Sequence, residues 1–228
     1  MRILFVRHGD PDYKNDCLTE LGREQAEAVS RRLLPEGISE IYASPYGRAA
    51  ETAAYTASRL SLPVTTLPYM HEIGWSGDDL PFGGHPWSLS DQLLTEDNYD
   101  FFAQDWRTHP YFVRNKALEC YDEIAEQFDL FLAQQGFRHD GRRFFCTANN
   151  EKTIALFSHG GSGACAIGHI LSLPFPFVAA VMQFDVTSVT IIEFPAREGE
   201  YVHPRLELFN DAAHIRRAGG PLIQKEAD

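Results

Sequence analysis

Apolar residues along this chain fall into two alternating rhythms: short unbroken runs, and longer stripes at helical spacing. The run Ile3-Leu4-Phe5-Val6 is continuous, as expected of a strand buried on both faces, and predicts a strand over residues 2–7. Leu21, Ala28, Val29 and Leu33 then share a helical face, which predicts a helix over about 20–34 with Thr19 as its N-cap and Glu36-Gly37 as its stop. Ile41-Tyr42-Ala43 predicts a second strand, Ser44 and Pro45 the cap and first position of a helix through Leu60, and residues 64–67 a third strand. Strands alternating with helices in this way build a parallel sheet, whose ligands gather outside the carboxyl ends of the strands.

Over residues 75–109 the pattern changes to Gly, Pro, Asp and aromatics, as in Gly83-Gly84-His85-Pro86-Trp87, and reads as an insertion over the sheet. Residues 115–135 return to helical spacing, with Leu118, Tyr121, Ile124, Ala125, Phe128, Phe131 and Leu132 facing a core and Gly136 as the stop. The polar, turn-rich stretch 137–150 is expected to be a loop. Residues 153–157 predict the next strand and 161–171 the helix after it, while 186–194 and 203–209 close the pattern as strands and the charged tail beyond Arg216 frays. The fold expected is a single three-layer α/β/α domain over residues 1–228, with a central mostly parallel sheet and a helical cap insertion at about 75–115.

Composition narrows the function classes. With 44% hydrophobic and 23% charged residues in 228, the chain reads as a soluble globular protein able to bury a sizeable core. No apolar run reaches the roughly 18 residues that a bilayer span requires. A first strand starting at Arg2 leaves no room for a removable signal peptide, so a cytoplasmic location without a membrane partner is expected. The formal charge of −12 argues against a nucleic-acid partner and leaves small anions as ligands where a pocket is locally basic. Cys17, Cys120, Cys146 and Cys165 lie far apart, which suits free thiols rather than a zinc knuckle or redox pair. Oligomeric state is not legible in the sequence.

Three segments carry candidate chemistry. Arg7-His8-Gly9, Ser44-Pro45-Tyr46-Gly47-Arg48 and Ser158-His159-Gly160-Gly161 each follow a predicted strand. In a parallel sheet they arrive at one edge, where two guanidiniums can fork onto a dianionic phosphate and the helix start after Gly160-Gly161 adds N–H groups. Singly, each reads as a surface ion pair or a satisfied histidine; together they read as an anion site without a metal. The nine histidines hold no His-Glu-x-x-His spacing, so no metal or cofactor is expected, and His109, His139, His169, His203 and His214 are assigned to structure or surface. His85 is placed to reach a substrate. Trp75, Trp87 and Trp106 suit a small core holding the insertion better than an apolar substrate wall. A serine-esterase alternative uses Ser162 in Gly160-Gly161-Ser162-Gly163-Ala164, with Asp185 and His214 as partners. There Ala164 stands where the elbow requires glycine, and Arg7, His8 and Arg48 go unexplained.

Arg7-His8-Gly9, Leu18-Thr19-Glu20-Leu21-Gly22-Arg23-Glu24-Gln25-Ala26, Ser44 through Ala53, His71-Glu72-Ile73 and Ser158-His159-Gly160-Gly161 match, in order and spacing, those of a known family. Across most of its length the chain resembles the histidine phosphatase superfamily, also called the phosphoglycerate mutase-like family. The resemblance implies a two-step transfer in which His8 attacks phosphorus and the phosphohistidine is then relieved by water or another acceptor. It implies a phosphate pocket at Arg7, Arg48 and His159, with Glu72 as the proton donor and Asp10, Asp78 and Asp79 as weaker substitutes. Many members follow the His-Gly pair with Glu-Thr, an aromatic two positions on and Asn, where this chain has Asp10-Pro11-Asp12-Tyr13-Lys14, so Lys14 or Asn15 is the candidate replacement for the missing phosphate contacts. The lysine- and tyrosine-containing segment of glycolytic mutases is not recognisable between Gly77 and Asn115. The expectation is therefore hydrolysis of a small phosphorylated metabolite, with mutase-type transfer or a non-catalytic phosphate-binding domain as alternatives.

Overall fold

The computed structural model describes residues 1–216. The chain opens with β1 (Arg2–Arg7), the short pair β2 (Pro11–Asp12) and β3 (Cys17–Leu18), α1 (Glu20–Arg32), β4 (Glu40–Ala43), α2 (Gly47–Leu60) and β5 (Val64–Thr66). It continues with α3 (Pro86–Thr95), α4 (Lys116–Gln134), β6 (Phe137–Asp140), β7 (Arg143–Cys146), β8 (Thr153–Ser158) and α5 (Gly160–Leu171). It ends with α6 (Phe175–Val181), β9 (Val189–Glu193), β10 (Tyr201–Val202) and β11 (Arg205–Asp211). The central sheet has six strands in the order β11-β9-β1-β8-β4-β5. Its β1, β8, β4 and β5 run parallel; β9 pairs antiparallel with β1 and β11 antiparallel with β9, so β9 alone runs against the other five.

Alternation along the buried strands divides the core in two and makes the fold three-layered. Leu4 and Val6 of β1, with Ala155 and Phe157 of β8, pack on Val29 and Leu33 of the α1 side and Ala53 and Ala57 of α2. Ile3 and Phe5, with Ile154 and Leu156, face the opposite way onto Ile124, Phe128 and Leu132 of α4 and Ile167 of α5. Each such fully buried Val, Leu, Ile or Phe side chain contributes about 1.5–3 kcal/mol. Thr19 caps α1 as expected, its hydroxyl accepting from the Gly22 amide at 3.0 Å.

Two expected elements differ. The stretch 137–150 is not a loop: β6 and β7 form an antiparallel hairpin, which β10 extends to a three-stranded sheet, with Gly141 at φ +67° in its turn. Helix α2 starts at Gly47 with Tyr46 at the cap, not at Pro45; the Ser44 hydroxyl accepts from the Tyr46 amide at 3.2 Å and also lies 2.7 Å from the His159 ring. The 75–115 segment holds α3 and short 3₁₀ turns, and its Leu89, Leu93, Phe101 and Trp106 join the same core as α4 and Phe175 of α6. The fraying expected beyond Arg216 concerns residues outside those described. Among the described residues, no helix is long and apolar enough to cross a membrane.

Candidate active site

β1 and β8 lie side by side with Arg7 opposite Ser158, so the residues leaving their carboxyl ends, His8 and His159, emerge together. Their rings sit 5.1 Å apart, edge to face, and both residues are almost fully buried. His8 Nδ1 donates to the Gly9 carbonyl at 2.7 Å, leaving Nε2 as the unprotonated nitrogen, toward which Arg48 Nε donates at 3.3 Å. Burial lowers the His8 pKa to about 3; the bond to Gly9 opposes this, and the charges of Arg7 and Arg48 assist it. Burial likewise takes His159 down to about 2, helped by His8, Arg48 and Arg7. Both imidazoles are therefore neutral at ordinary pH. Ser44 orients His159 through Nε2, and His159 Nδ1 is buried without a partner.

The two guanidiniums flank this pair. Arg7 is anchored through one terminal nitrogen to the Phe184 carbonyl, while its buried Nε has no partner. Arg48, 6% exposed, is held by Asp16 Oδ1 at 2.6 Å, and Asp16 Oδ2 also accepts from the Gly47 amide at 2.7 Å. A side chain at Gly47 would meet the Asp16 carbonyl at 2.1 Å, so only glycine lets the loop approach the start of α2 this closely. The unpaired Arg7 Nε and a proton on His159 Nδ1 are the donors available here to a compact anion.

Glu72 closes the site from the loop after β5. Its Oε1 accepts three backbone bonds, from Ile73 (2.9 Å), Gly161 (3.0 Å) and Ser162 (3.1 Å). The amides expected to hold phosphate at the start of α5 are thus taken by a carboxyl group. Burial raises the Glu72 pKa, against the opposing pull of those three amides and of Arg7. With Oε1 saturated by donors, a proton on this carboxyl belongs on Oε2. Gly161 permits the arrangement, since a Cβ there would lie 2.5 Å from Glu72 Oε1. The weaker substitutes are not equivalent. Asp10 Oδ2 is committed to the Thr19 hydroxyl at 2.6 Å, and Asp78 and Asp79 are exposed, Asp79 lying 3.7 Å from Arg114.

A cavity of about 600 Å³ extends from Arg7 and Glu72, walled by Tyr13, Trp75, His85 and Trp87 and floored by residues 179–184. His85 is therefore at the cavity, where its ring also caps α3 by accepting from Ser88 and packs 5.1 Å from both tryptophans. The three tryptophans divide: Trp75 and Trp87 line the cavity, against the expectation of a small core, and Trp106 is the buried one. Lys14 and Asn15 lie on an exposed turn, Asn15 bonded to Asp12, and neither lines the cavity. Ser162 donates to the Met70 carbonyl, while His214 lies against Thr187 and Asp185 against Asn210, so no esterase triad assembles. Asp16, Ser44 and the 179–184 segment escaped the sequence reading. Only the Ser44-Pro45 pair carried a local signal, and it pointed to a helix cap. Among the described residues, three side chains able to share a metal ion gather away from this cavity, at Asp129, His139 and His169.

The family model of the histidine phosphatase superfamily (branch 1) matches residues 3–207. Among solved structures, a phosphoserine phosphatase mutant from Entamoeba histolytica in complex with phosphoserine superposes with a TM-score of 0.62 at 23% identity, covering 94% of this chain and 99% of that one. A mycobacterial glucosyl-3-phosphoglycerate phosphatase with inorganic phosphate gives 0.66 at 21% identity, with coverage of 94% and 99%. A curated relative, the probable phosphoglycerate mutase GpmB of Yersinia enterocolitica, is 30% identical over 82 residues, 32% of this chain and 38% of that protein. The match to such relatives thus spans well under half of their length. The chain belongs to the histidine phosphatase superfamily.

Proposed function

We propose that this member of the histidine phosphatase superfamily hydrolyses phosphomonoesters through a phosphohistidine at His8. The observation that carries the reading is the hydrogen bond from His8 Nδ1 to the Gly9 carbonyl, which leaves a neutral Nε2 lone pair between Arg48 and His159. In the first step Nε2 attacks phosphorus while Arg7, Arg48 and the neutral His159, with its proton on Nδ1 and its Nε2 accepting from Ser44, hold the equatorial oxygens. The bond to the leaving oxygen breaks, and Glu72 Oε2 supplies its proton. In the second step the Glu72 carboxylate takes a proton from water. The resulting hydroxide displaces phosphate from Nε2, and His8 returns to the neutral form.

The remainder of the cavity supports an uncharged leaving group with a ring or an apolar body. Its walls include Trp75, Trp87 and Tyr13, and among the described residues Arg7 is the one cation lining it. A phosphoglycerate would bring a carboxylate needing a second cation, which favours hydrolysis over mutase-type transfer. The test is rapid-quench labelling with a ³²P-phosphomonoester. Acid-labile label on the wild type that is missing from His8→Ala supports the reading, and acid-stable label, or none during turnover, refutes it. Phosphate release from a panel of neutral and carboxylate-bearing esters checks the leaving-group class separately.

A further inference from the structure

Asp129 of α4, His139 of β6 and His169 of the last turn of α5 come together from three elements. Asp129 Oδ1 lies 2.8 Å from His169 Nε2 and 3.0 Å from His139 Nδ1. The two rings stand perpendicular, 4.8 Å apart, and His139 is stacked flat on Phe144 at 4.5 Å, which fixes its plane. The imidazoles thus aim two nitrogens at one point, and the carboxylate supplies a third donor.

We infer that this trio is a binding site for a divalent transition ion of the zinc class, independent of the phosphatase reading. Two imidazoles and one carboxylate match the ligand preference of Zn²⁺, whereas Mg²⁺ and Ca²⁺ favour all-oxygen shells. Ligand atoms about 2.0–2.1 Å from a tetrahedral zinc lie about 3.3 Å from one another; the spacings of 2.8 and 3.0 Å open by a few tenths of an ångström, and the three ligand atoms, all within 4.8 Å of one another, close onto the ion by side-chain rotation. Nε2 of His139 is buried without a partner, so no second hydrogen bond locks that ring's proton on Nδ1, and a metal can take the lone pair there. The side chains of His139 and His169 are 18% and 14% exposed and border a cleft of about 320 Å³, from which water can fill a fourth position. Arg142 and Asp105 also border that cleft, with opposing charges. The site lies ten residues along α5 from His159, about 15 Å at 1.5 Å per residue, so it does not touch the phosphate pocket. Its effect is to pin α4, α5 and the β6–β7 hairpin together, and a ligand bound only by the folded state raises stability.

The experiment uses the full chain stripped with chelator and then dialysed free of it. Titration with Zn²⁺ alone is expected to show one equivalent bound at micromolar metal, with a rise in Tm. Co²⁺ is expected to give the strong visible absorption of a low-coordinate site. His169→Ala and Asp129→Asn should each weaken Zn²⁺ binding by more than about 100-fold, beyond the 10–100-fold cost of losing an outer-sphere partner. His109→Ala should leave binding unchanged. The Co²⁺ spectrum of the wild type needs no variant, so a misfolded mutant cannot blur the outcome. Absence of heat and of visible bands, or affinity that survives His169→Ala, overturns the assignment and leaves the trio as a hydrogen-bonded strut.

Discussion

The molecule holds two close pairs of histidines whose surroundings drive them in opposite directions. His8 and His159 sit buried between Arg7 and Arg48, and burial aided by those cations takes them to about 3 and about 2. His139 and His169 converge instead on a carboxylate. The hydrogen bond that His139 donates to Asp129 raises His139 above its ordinary value, and Asp129, although burial acts to raise it, is brought down to about 2 by the two rings. One pair is held neutral and so retains a nucleophilic lone pair where an anion is expected. The other surrounds a fixed negative charge and so favours a cation. The sign of the nearest charge, more than the imidazole itself, decides what each pair can do.

The largest expected effect sharpens that contrast at the first pair. His8→Ala should reduce turnover to background and abolish acid-labile labelling, while circular dichroism shows an intact fold. Next comes Glu72→Gln, which keeps the oxygen that the α5 amides bind but cannot donate a proton as an acid. It should slow phosphoryl transfer from alkyl esters by roughly 10²- to 10⁴-fold and from activated aryl esters far less, as read in burst kinetics. Equal slowing of both would assign Glu72 a structural part. Arg48→Ala should cost about 10²- to 10³-fold in kcat. A raised KM with normal kcat would instead make Arg48 a binding group only.

Stability against pH gives a smaller and more direct reading of the same pair. The folded pKa values of His8 and His159 lie below the unfolded value of about 6.5, so the unfolded chain binds more protons on the acid side. Their share of stability is present above pH 6.5 and is lost as pH falls toward 3, by up to about 1.4 kcal/mol per pH unit for each group. Urea unfolding of His8→Ala between pH 6.5 and 5 should therefore show a shallower decline than the wild type. The smallest expected effect is on turnover in chelator, which should stay within error of the untreated rate because Arg7 and Arg48 already supply the charge. Activity lost in chelator and restored by added Mg²⁺ would break the comparison at its first member.

Local signals carried much of this. The run Ile3–Val6 placed β1, Thr19 capped α1 as read, and the motifs ending at His8, Arg48 and His159 do meet at one sheet edge. What the sequence concealed depended on partners far along the chain. Ser44 looked like a helix cap because Pro45 follows it, yet its hydroxyl also reaches His159, 115 residues away. In the hairpin, Asp140-Gly141 stands between alternating Phe137, His139, Phe144 and Cys146, a turn signal outweighed by the polar residues around it. Helix α6 and the 179–184 floor lay in a stretch too short and apolar to type by periodicity. Asp129, His139 and His169 sit ten and thirty residues apart on unlike elements, so no linear motif could join them.

Glu72 is both a proposed proton carrier and the cap of α5, and this gives the protein an internal reporter. Each loss of the proton places a full negative charge on the group that the Gly161 and Ser162 amides bind, and each gain removes it. The nitrogen resonances of those two amides should then move with the ionisation of Glu72, so heteronuclear NMR could follow the acid's state through a titration without touching the acid itself.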